Sequence, residues 1–323
     1  MRIVVMGSGG VGGYFGGRLA AAGEQVGFIA RGAHLRAMRE QGLQIRSQHH
    51  GDLLINPVQV SDDPAQAGPA DLILFCVKSW DTEEAGRALR PLIGPQTAVV
   101  SLQNGVDNEE KLGSLLGTEH LLGGVTYVEA AIERPGVIEQ SSAVAKLVFG
   151  EFDGERSERA QGLLAACKRA GIEAELSSEI ESVLWSKYLF ICAFSGLTAL
   201  TRLPIGPVRS DPDTRQMLRG CMSEVEAVAR GRGVSLPQGI LADRLAFTDR
   251  LLPEMRSSLQ RDLERGHRLE LEALNGTVVR FGAELGLEVP INRFIYAALK
   301  LHAGGGFTNS SLAPVYSARS RPW

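Results

Sequence analysis

The residues Gly7-Ser8-Gly9-Gly10-Val11-Gly12 fit the spacing GxGxxG and directly follow a near-continuous apolar run, Met1–Met6. Between a buried strand and a helix, such a loop can cradle a dinucleotide pyrophosphate. Its first glycine allows the tight turn, its second lets the backbone approach the phosphates, and its third lets helix and strand pack closely. Unpaired N–H groups at the helix start then face the phosphates. The same stretch carries Gly13, Gly16 and Gly17. Each costs roughly 0.5–1 kcal/mol relative to alanine in a helix interior, which implies close contact with a sheet or a cofactor. A tight strand–helix turn with no ligand is the plainer alternative.

Arg31 stands just past a second apolar run, Gln25–Ala30, where NAD sites usually carry an acid for the ribose 2′-OH. A guanidinium there can instead pair with a 2′-phosphate. The expected cofactor is therefore NADPH/NADP+, with a solvated surface arginine as the alternative. The runs Asp71–Val77 and Thr97–Leu102 also end in polar groups, Lys78 and Asn104. Ligands of open α/β sheets bind outside the carboxyl ends of the strands. Arg31, Lys78 and Asn104 are thus expected to share one crevice with the glycine loop.

The elements that must position these groups alternate in the first half. Strand candidates are the four runs above, with Val58–Val60, Leu147–Phe149 and Glu173–Leu176 as weaker ones; helical patterns such as 12–22 and 34–41 lie between them. That alternation predicts an α/β doubly wound parallel sheet of the Rossmann kind. After Ser178 the pattern is helical only: 179–200, 214–230, 240–255, 257–285 and 290–302, with a proline-rich break over 203–213. The expected organisation is a nucleotide-binding domain over 1–178, an all-helical domain over 179–303 and an irregular tail over 304–323.

A chain of 323 residues is long enough for two domains. Its net charge of −3, with dispersed Lys and Arg, gives no footprint for nucleic acid. The longest apolar stretch, Tyr188–Thr201, falls short of a membrane span and reads as a buried helix. The N-terminal residues already read as a strand, leaving no room for a signal peptide. The four cysteines are widely spaced without a CxxC pair, and the histidines lack ligand spacing, so neither a metal nor a disulfide framework is implied. His49-His50 reads as a solvated loop pair. A reducing cytoplasm is the simplest location, and the apolar helical faces leave room for a homodimer.

The glycine loop, Arg31, CVKSW, LQNGVDN, LWSKYLFICAFSGLTAL and SSLQRDLERGHRLELEALNGTVV occur in an order that resembles the ketopantoate reductase (2-dehydropantoate 2-reductase) family, from Met1 to about Leu301. The resemblance implies a Rossmann domain for NADPH and a helical domain like the C-terminal domain of 6-phosphogluconate dehydrogenase, closing over a small 2-keto acid. The implied activity is reduction of ketopantoate to pantoate, toward pantothenate and coenzyme A. By matching position, Lys187 is the implied catalytic general acid, and Glu270 supports it and the substrate hydroxyl. Asn104 is implied beside nicotinamide and substrate, Ser258 at the substrate carboxylate, and Lys78 near the cofactor. Hydride transfer to a ketone builds negative charge on oxygen, which a positioned ammonium can stabilise and protonate.

The residues also allow plainer readings. Lys187, the only basic residue in its apolar helix, could snorkel at a domain edge. Glu270 could be a boundary carboxylate, and spacing alone does not bring it to Lys187. Ser258 could be a helix cap, and His267 a packed core-edge histidine. Where the family carries three substrate-facing asparagines, this chain has Ile191, Ser195 and Met255. A pocket with fewer amides discriminates less by hydrogen bonding, so a branched or bulkier 2-keto acid is a second expectation. A Rossmann dehydrogenase for hydroxy or sugar acids is a third, and a non-catalytic NADP(H)-binding regulator is a reading of another class.

Overall fold

The computed structural model describes residues 1–306; most of the tail expected over 304–323 lies outside the described residues. The chain divides into two compact units, Met1–Leu184 and Trp185 onward.

The first unit is built on β1 (Arg2–Met6), β2 (Gln25–Ile29), β5 (Gln59–Ser61), β6 (Leu72–Phe75), β7 (Ala98–Ser101), β8 (Leu121–Tyr127), β11 (Lys146–Gly150) and β12 (Glu173–Leu176). These form one sheet in the order β12-β11-β8-β7-β6-β1-β2-β5, parallel except for the β8/β11 pair. The strand order reverses between β1 and β6, which is the switch point where such sheets open a ligand crevice. The central strands are buried on both faces, which is why they read as unbroken apolar runs. Helices α1 (Gly10–Ala21), α2 (Gly32–Gln41), α3 (Thr82–Ala88), α4 (Asn108–Leu116) and α5 (Glu158–Arg169) complete this part.

A second, four-stranded sheet was not expected. It consists of β3 (Leu43–Ser47), β4 (Leu53–Ile55), β9 (Ala130–Arg134) and β10 (Val137–Gln140), ordered β4-β3-β10-β9. Its strands are short, and β9 is largely exposed, so the apolar signal was weak. This sheet answers the question posed by the glycines of α1. A Cβ at Gly13 would stand 2.8 Å from Ile138, and one at Gly17 would stand 2.5 Å from Ile45, both on the second sheet. A Cβ at Gly16 would meet Val5 and Phe28 on the first sheet at 2.5 and 2.8 Å. The helix is clamped between two sheets, and only glycine lets both approach.

The second unit is helical: most of α6 (Ile180–Thr201), then α7 (Ile205–Ser210), α8 (Pro212–Gly231), α9 (Ile240–Asp249), α10 (Ser258–Glu264), α11 (Thr277–Leu285) and α12 (Pro290–Lys300). By length and composition α6 could cross a membrane, but 67% of its most apolar window is buried inside the protein. The break expected over 203–213 contains the short α7, and Pro212 sits in the first turn of α8, where its missing N–H costs nothing. The helix expected over 240–255 stops at Asp249. The one expected over 257–285 is two helices, because Gly266 at φ 67° ends α10 and a wide turn over Glu272–Gly276 precedes α11. The apolar periodicity ran through the break and concealed it. His267 is accordingly not a core-edge residue: its side chain is 60% exposed and lies 3.4 Å from Asp262.

Candidate active site

In the first unit the loop leaving β1 is fastened on two sides. Ser8 donates to the Ile29 carbonyl at the end of β2 through both its N–H (3.1 Å) and its hydroxyl (2.9 Å). Gly7 adopts φ 98°, open mainly to glycine, and a Cβ there would stand 2.8 Å from the Val77 nitrogen past β6. Gln103, just past β7, donates its side-chain amide to the Val77 carbonyl and the Thr82 hydroxyl, each at 2.9 Å. The ends of the four strands around the switch point, β1, β2, β6 and β7, thus meet one another. Gln103 escaped sequence reasoning, which singled out its neighbour Asn104; its only signal was a polar residue closing a buried run.

The loop glycines differ in what they face. A Cβ at Gly10 would collide with the Ala130 backbone of β9, and one at Gly12 with the Gly7 carbonyl and Val5. A Cβ at Gly9 would meet nothing within 4 Å, and its backbone (φ −72°, ψ −160°) suits any residue. Among the described residues no atom demands glycine at that position. An unhindered Cα there, at the start of a helix with orphan N–H groups, fits the close approach of a pyrophosphate. Val11 is partly buried in the first turn of α1.

Arg31, Lys78 and Asn104 follow β2, β6 and β7, which run parallel, so all three stand at the same edge of the sheet. Arg31 is exposed and pairs at 3.0 Å with Glu84 of α3. An exposed pair of this kind holds its partners weakly. The exposed Lys78 has its ammonium 5.7 Å from the Trp80 ring. Asn104 is half-buried, and its carbonyl accepts from the Asn108 amide at 3.3 Å. Nearby, burial pushes the Glu109 carboxyl up to about 8, with Asp107 and Glu110 adding to the effect.

In the second unit, Lys187 lies on α6 and Glu270 just before the wide turn. The turn bends the backbone sharply at Leu274 (φ −100°, ψ −110°), which takes carbonyls out of the helical ladder. The buried Tyr188 hydroxyl donates toward those of Leu274 (2.7 Å) and Ala273 (3.2 Å). Asn275 reinforces the seam, donating to Asn292 at 2.9 Å and to the Cys192 carbonyl at 3.4 Å. Gly196 allows this approach: a Cβ there would stand 3.0 Å from Asn275. The segment carrying Glu270 is thereby bound to the helix carrying Lys187, through the residue next to Lys187. Desolvation by the packing around the half-buried Lys187 lowers its ammonium to about 8, and the Glu270 carboxylate pulls in the opposite direction. Tertiary structure has done what spacing could not.

Of the other singled-out residues, Ile191 is half-buried and Ser195 buried on α6, and Met255 is half-buried ahead of α10. Ser258 is exposed and is not the cap of α10. The cap is Ser257, whose hydroxyl accepts from the Gln260 N–H at 3.0 Å and meets the Thr198 hydroxyl at 2.8 Å. That bond anchors the start of α10 to α6 and so fixes where Ser258 begins.

The family described as ketopantoate reductase PanE/ApbA matches residues 3–154, and its C-terminal counterpart matches residues 179–303. The chain is 31% identical over 302 residues to an uncharacterized oxidoreductase, YkpB, of Bacillus subtilis, covering 94% of this chain and 99% of that one. It is also 31% identical to the 2-dehydropantoate 2-reductase of Pyrococcus horikoshii, over 95% of this chain and 99% of the relative. Among solved structures, a PanE/ApbA family ketopantoate reductase from Ralstonia eutropha superposes with a TM-score of 0.86 at 37% identity, covering 94% and 98% of the two chains.

Proposed function

The chain belongs to the ketopantoate reductase family of oxidoreductases, and from that premise we propose that it reduces a 2-keto acid to the 2-hydroxy acid with NADPH, ketopantoate being the leading substrate. The observation that carries this reading is the Lys187 ammonium, which burial lowers to about 8 against the opposing pull of the Glu270 carboxylate. An acid with a pKa near the working pH is suited to give its proton to a developing alkoxide. The nicotinamide, when bound, supplies the hydride. The N–H groups opening α1 and the bare Cα of Gly9 would receive the pyrophosphate, and Arg31 would swing from Glu84 to a 2′-phosphate. Lys78 and Asn104 stand at the sheet edge where the rest of the nucleotide and the keto acid would be held. Lys187 orients the keto oxygen and transfers a proton from Nζ; Glu270 keeps that lysine charged. Ser258 serves the substrate carboxylate in this reading.

The deciding measurement is NADPH oxidation, followed by absorbance, across a panel of 2-keto acids. Turnover of ketopantoate well above all others supports the leading substrate. The apolar Ile191 and Met255, with the short Ser195, favour a second reading, a branched or bulkier 2-keto acid, and turnover restricted to such acids would establish it. Binding of NADPH with no turnover of any acid would leave a regulator.

Two consequences can be checked directly. Arg31→Ala should remove most of the preference for NADPH over NADH, read as the ratio of kcat/KM for the two nucleotides. A parent enzyme that already uses both equally excludes the proposed role of Arg31. For Glu270 the readout is the alkaline limb of the pH profile. Protonated Lys187 is lost as pH rises through about 8, so reduction should decline over that range. Glu270 raises the lysine's pKa, so Glu270→Gln should move the limb to lower pH; an unmoved limb argues that the two groups are not coupled.

A further inference from the structure

His34, in the first turn of α2, touches the glycine loop without belonging to it. One ring nitrogen, Nε2, lies 2.9 Å from the Ser8 carbonyl, and the other, Nδ1, accepts the Gly136 N–H at 3.0 Å. Because Nδ1 accepts, the ring is neutral and Nε2 carries the hydrogen donated to Ser8. Burial of the half-buried ring favours that neutral state, against the pull of the Ser8 carbonyl. Gly136 lies in the turn between β9 and β10, and that turn packs on α2, where a Cβ at Gly136 would stand 3.1 Å from Ala37.

We infer that His34 is a positioning residue for the nucleotide loop, setting the Ser8–Gly9 peptide so that the Gly9 N–H is presented to the cofactor phosphates. The argument rests on peptide geometry. In a planar trans peptide the C=O and N–H point in opposite directions. Drawing the Ser8 carbonyl toward α2 therefore turns the Gly9 N–H away from α2. Gly9 is the one loop glycine in the GxGxxG run whose Cα faces open space. Its carbonyl already accepts the first bond of α1, from Gly13 at 2.7 Å, so both ends of Gly9 are fixed. The imidazole couples the loop to the second sheet, which also supplies the Ala130 backbone against Gly10.

This inference rests on the nucleotide reading above, and its test separates the two. Glutamine can carry an amide nitrogen where Nε2 lies and keep the donor to Ser8. Asparagine can place its oxygen where Nδ1 lies and keep only the acceptor for Gly136. His34→Gln should bind NADPH within about twofold of the parent, and His34→Asn about tenfold more weakly, the scale of one lost hydrogen bond. Fluorescence titration of the nucleotide reads the affinity, with circular dichroism and melting as controls for folding. At saturating nucleotide kcat should match the parent, the defect appearing in KM. In cofactor-free protein, amide exchange at Gly9–Gly12 should quicken in His34→Asn and not in His34→Gln. Equal affinity and exchange in the two variants would overturn the role, since the ring would then act only by packing. A parent protein that binds neither NADPH nor NADH overturns the cofactor assignment instead, and the exchange comparison still decides for or against His34.

Discussion

Lys187→Ala is expected to lower turnover by a factor on the order of 10²–10⁴, the usual worth of a positioned general acid, while NADPH affinity stays at the parent level. The expectation follows from where the residue stands. Lys187 is held on α6, and Tyr188, its immediate neighbour, is bonded to the turn that delivers Glu270. Burial lowers the ammonium to about 8, so at neutral pH it is charged yet ready to release a proton. In the proposed mechanism alanine removes both the charge that would face the developing alkoxide and the proton that it would receive. The nucleotide loop belongs to the other unit, so its affinity is an internal control. Steady-state rates at saturating keto acid, together with nucleotide titration, check this. An alanine variant that turns over at the parent rate removes Lys187 from the mechanism.

The second large effect is a contrast between adjacent glycines. Gly10→Ala should destabilise the first unit by about 3 kcal/mol, the upper end of ordinary overpacking, because the new methyl meets backbone that cannot rotate away. For a unit of this size that is a fall in melting temperature of roughly 6–12 °C. The obstacle is the Ala130 peptide of β9, including the Ala131 nitrogen 2.8 Å from the added Cβ. Gly9→Ala should leave the melting temperature within about 2 °C of the parent, since surface changes seldom exceed ±0.5 kcal/mol. Its methyl enters open space with an ordinary backbone conformation. It should nevertheless weaken NADPH binding, because that space is where the pyrophosphate would come. Scanning calorimetry and nucleotide titration on the two variants decide the matter. Equal melting losses would mean that Gly9 is a packing glycine too, and undiminished binding by Gly9→Ala would remove the loop from the cofactor site.

These two expectations show how unevenly the site was legible. The glycine loop, the strand-end positions of Arg31, Lys78 and Asn104, and the change from α/β to helical pattern are local properties. Each depends on a short run of residues and its immediate neighbours, so periodicity and turn chemistry expose them. The division of labour among the glycines was not local. The GxGxxG spacing singles out Gly9 but gives Gly10 no role, and only β9, more than a hundred residues further along, makes Gly10 a packing residue while leaving Gly9 open. The second sheet itself escaped notice because its strands are short and half-exposed, which weakens the alternation that marks a strand.

The helical half shows the same limit for a different reason. Apolar spacing carried a single helix through residues 257–285, since hydrophobic contacts persist across a bend that keeps one face inward. The break at Gly266 is a left-handed turn at one glycine, and the wide turn at Glu272–Gly276 is held by hydrogen bonds that close between helices, from Tyr188 and Asn275. Sequence by itself determined most strands of the nucleotide half's main sheet, the helical character of the rest and the residue types able to do the chemistry. Tertiary structure alone decided that the segment carrying Glu270 is bonded to the helix carrying Lys187, that Ser257 rather than Ser258 caps α10, and that His34 meets the glycine loop. Long-range packing selects those partners: a carboxylate, a hydroxyl or an imidazole acquires its role from the group brought against it, and no local pattern records that group.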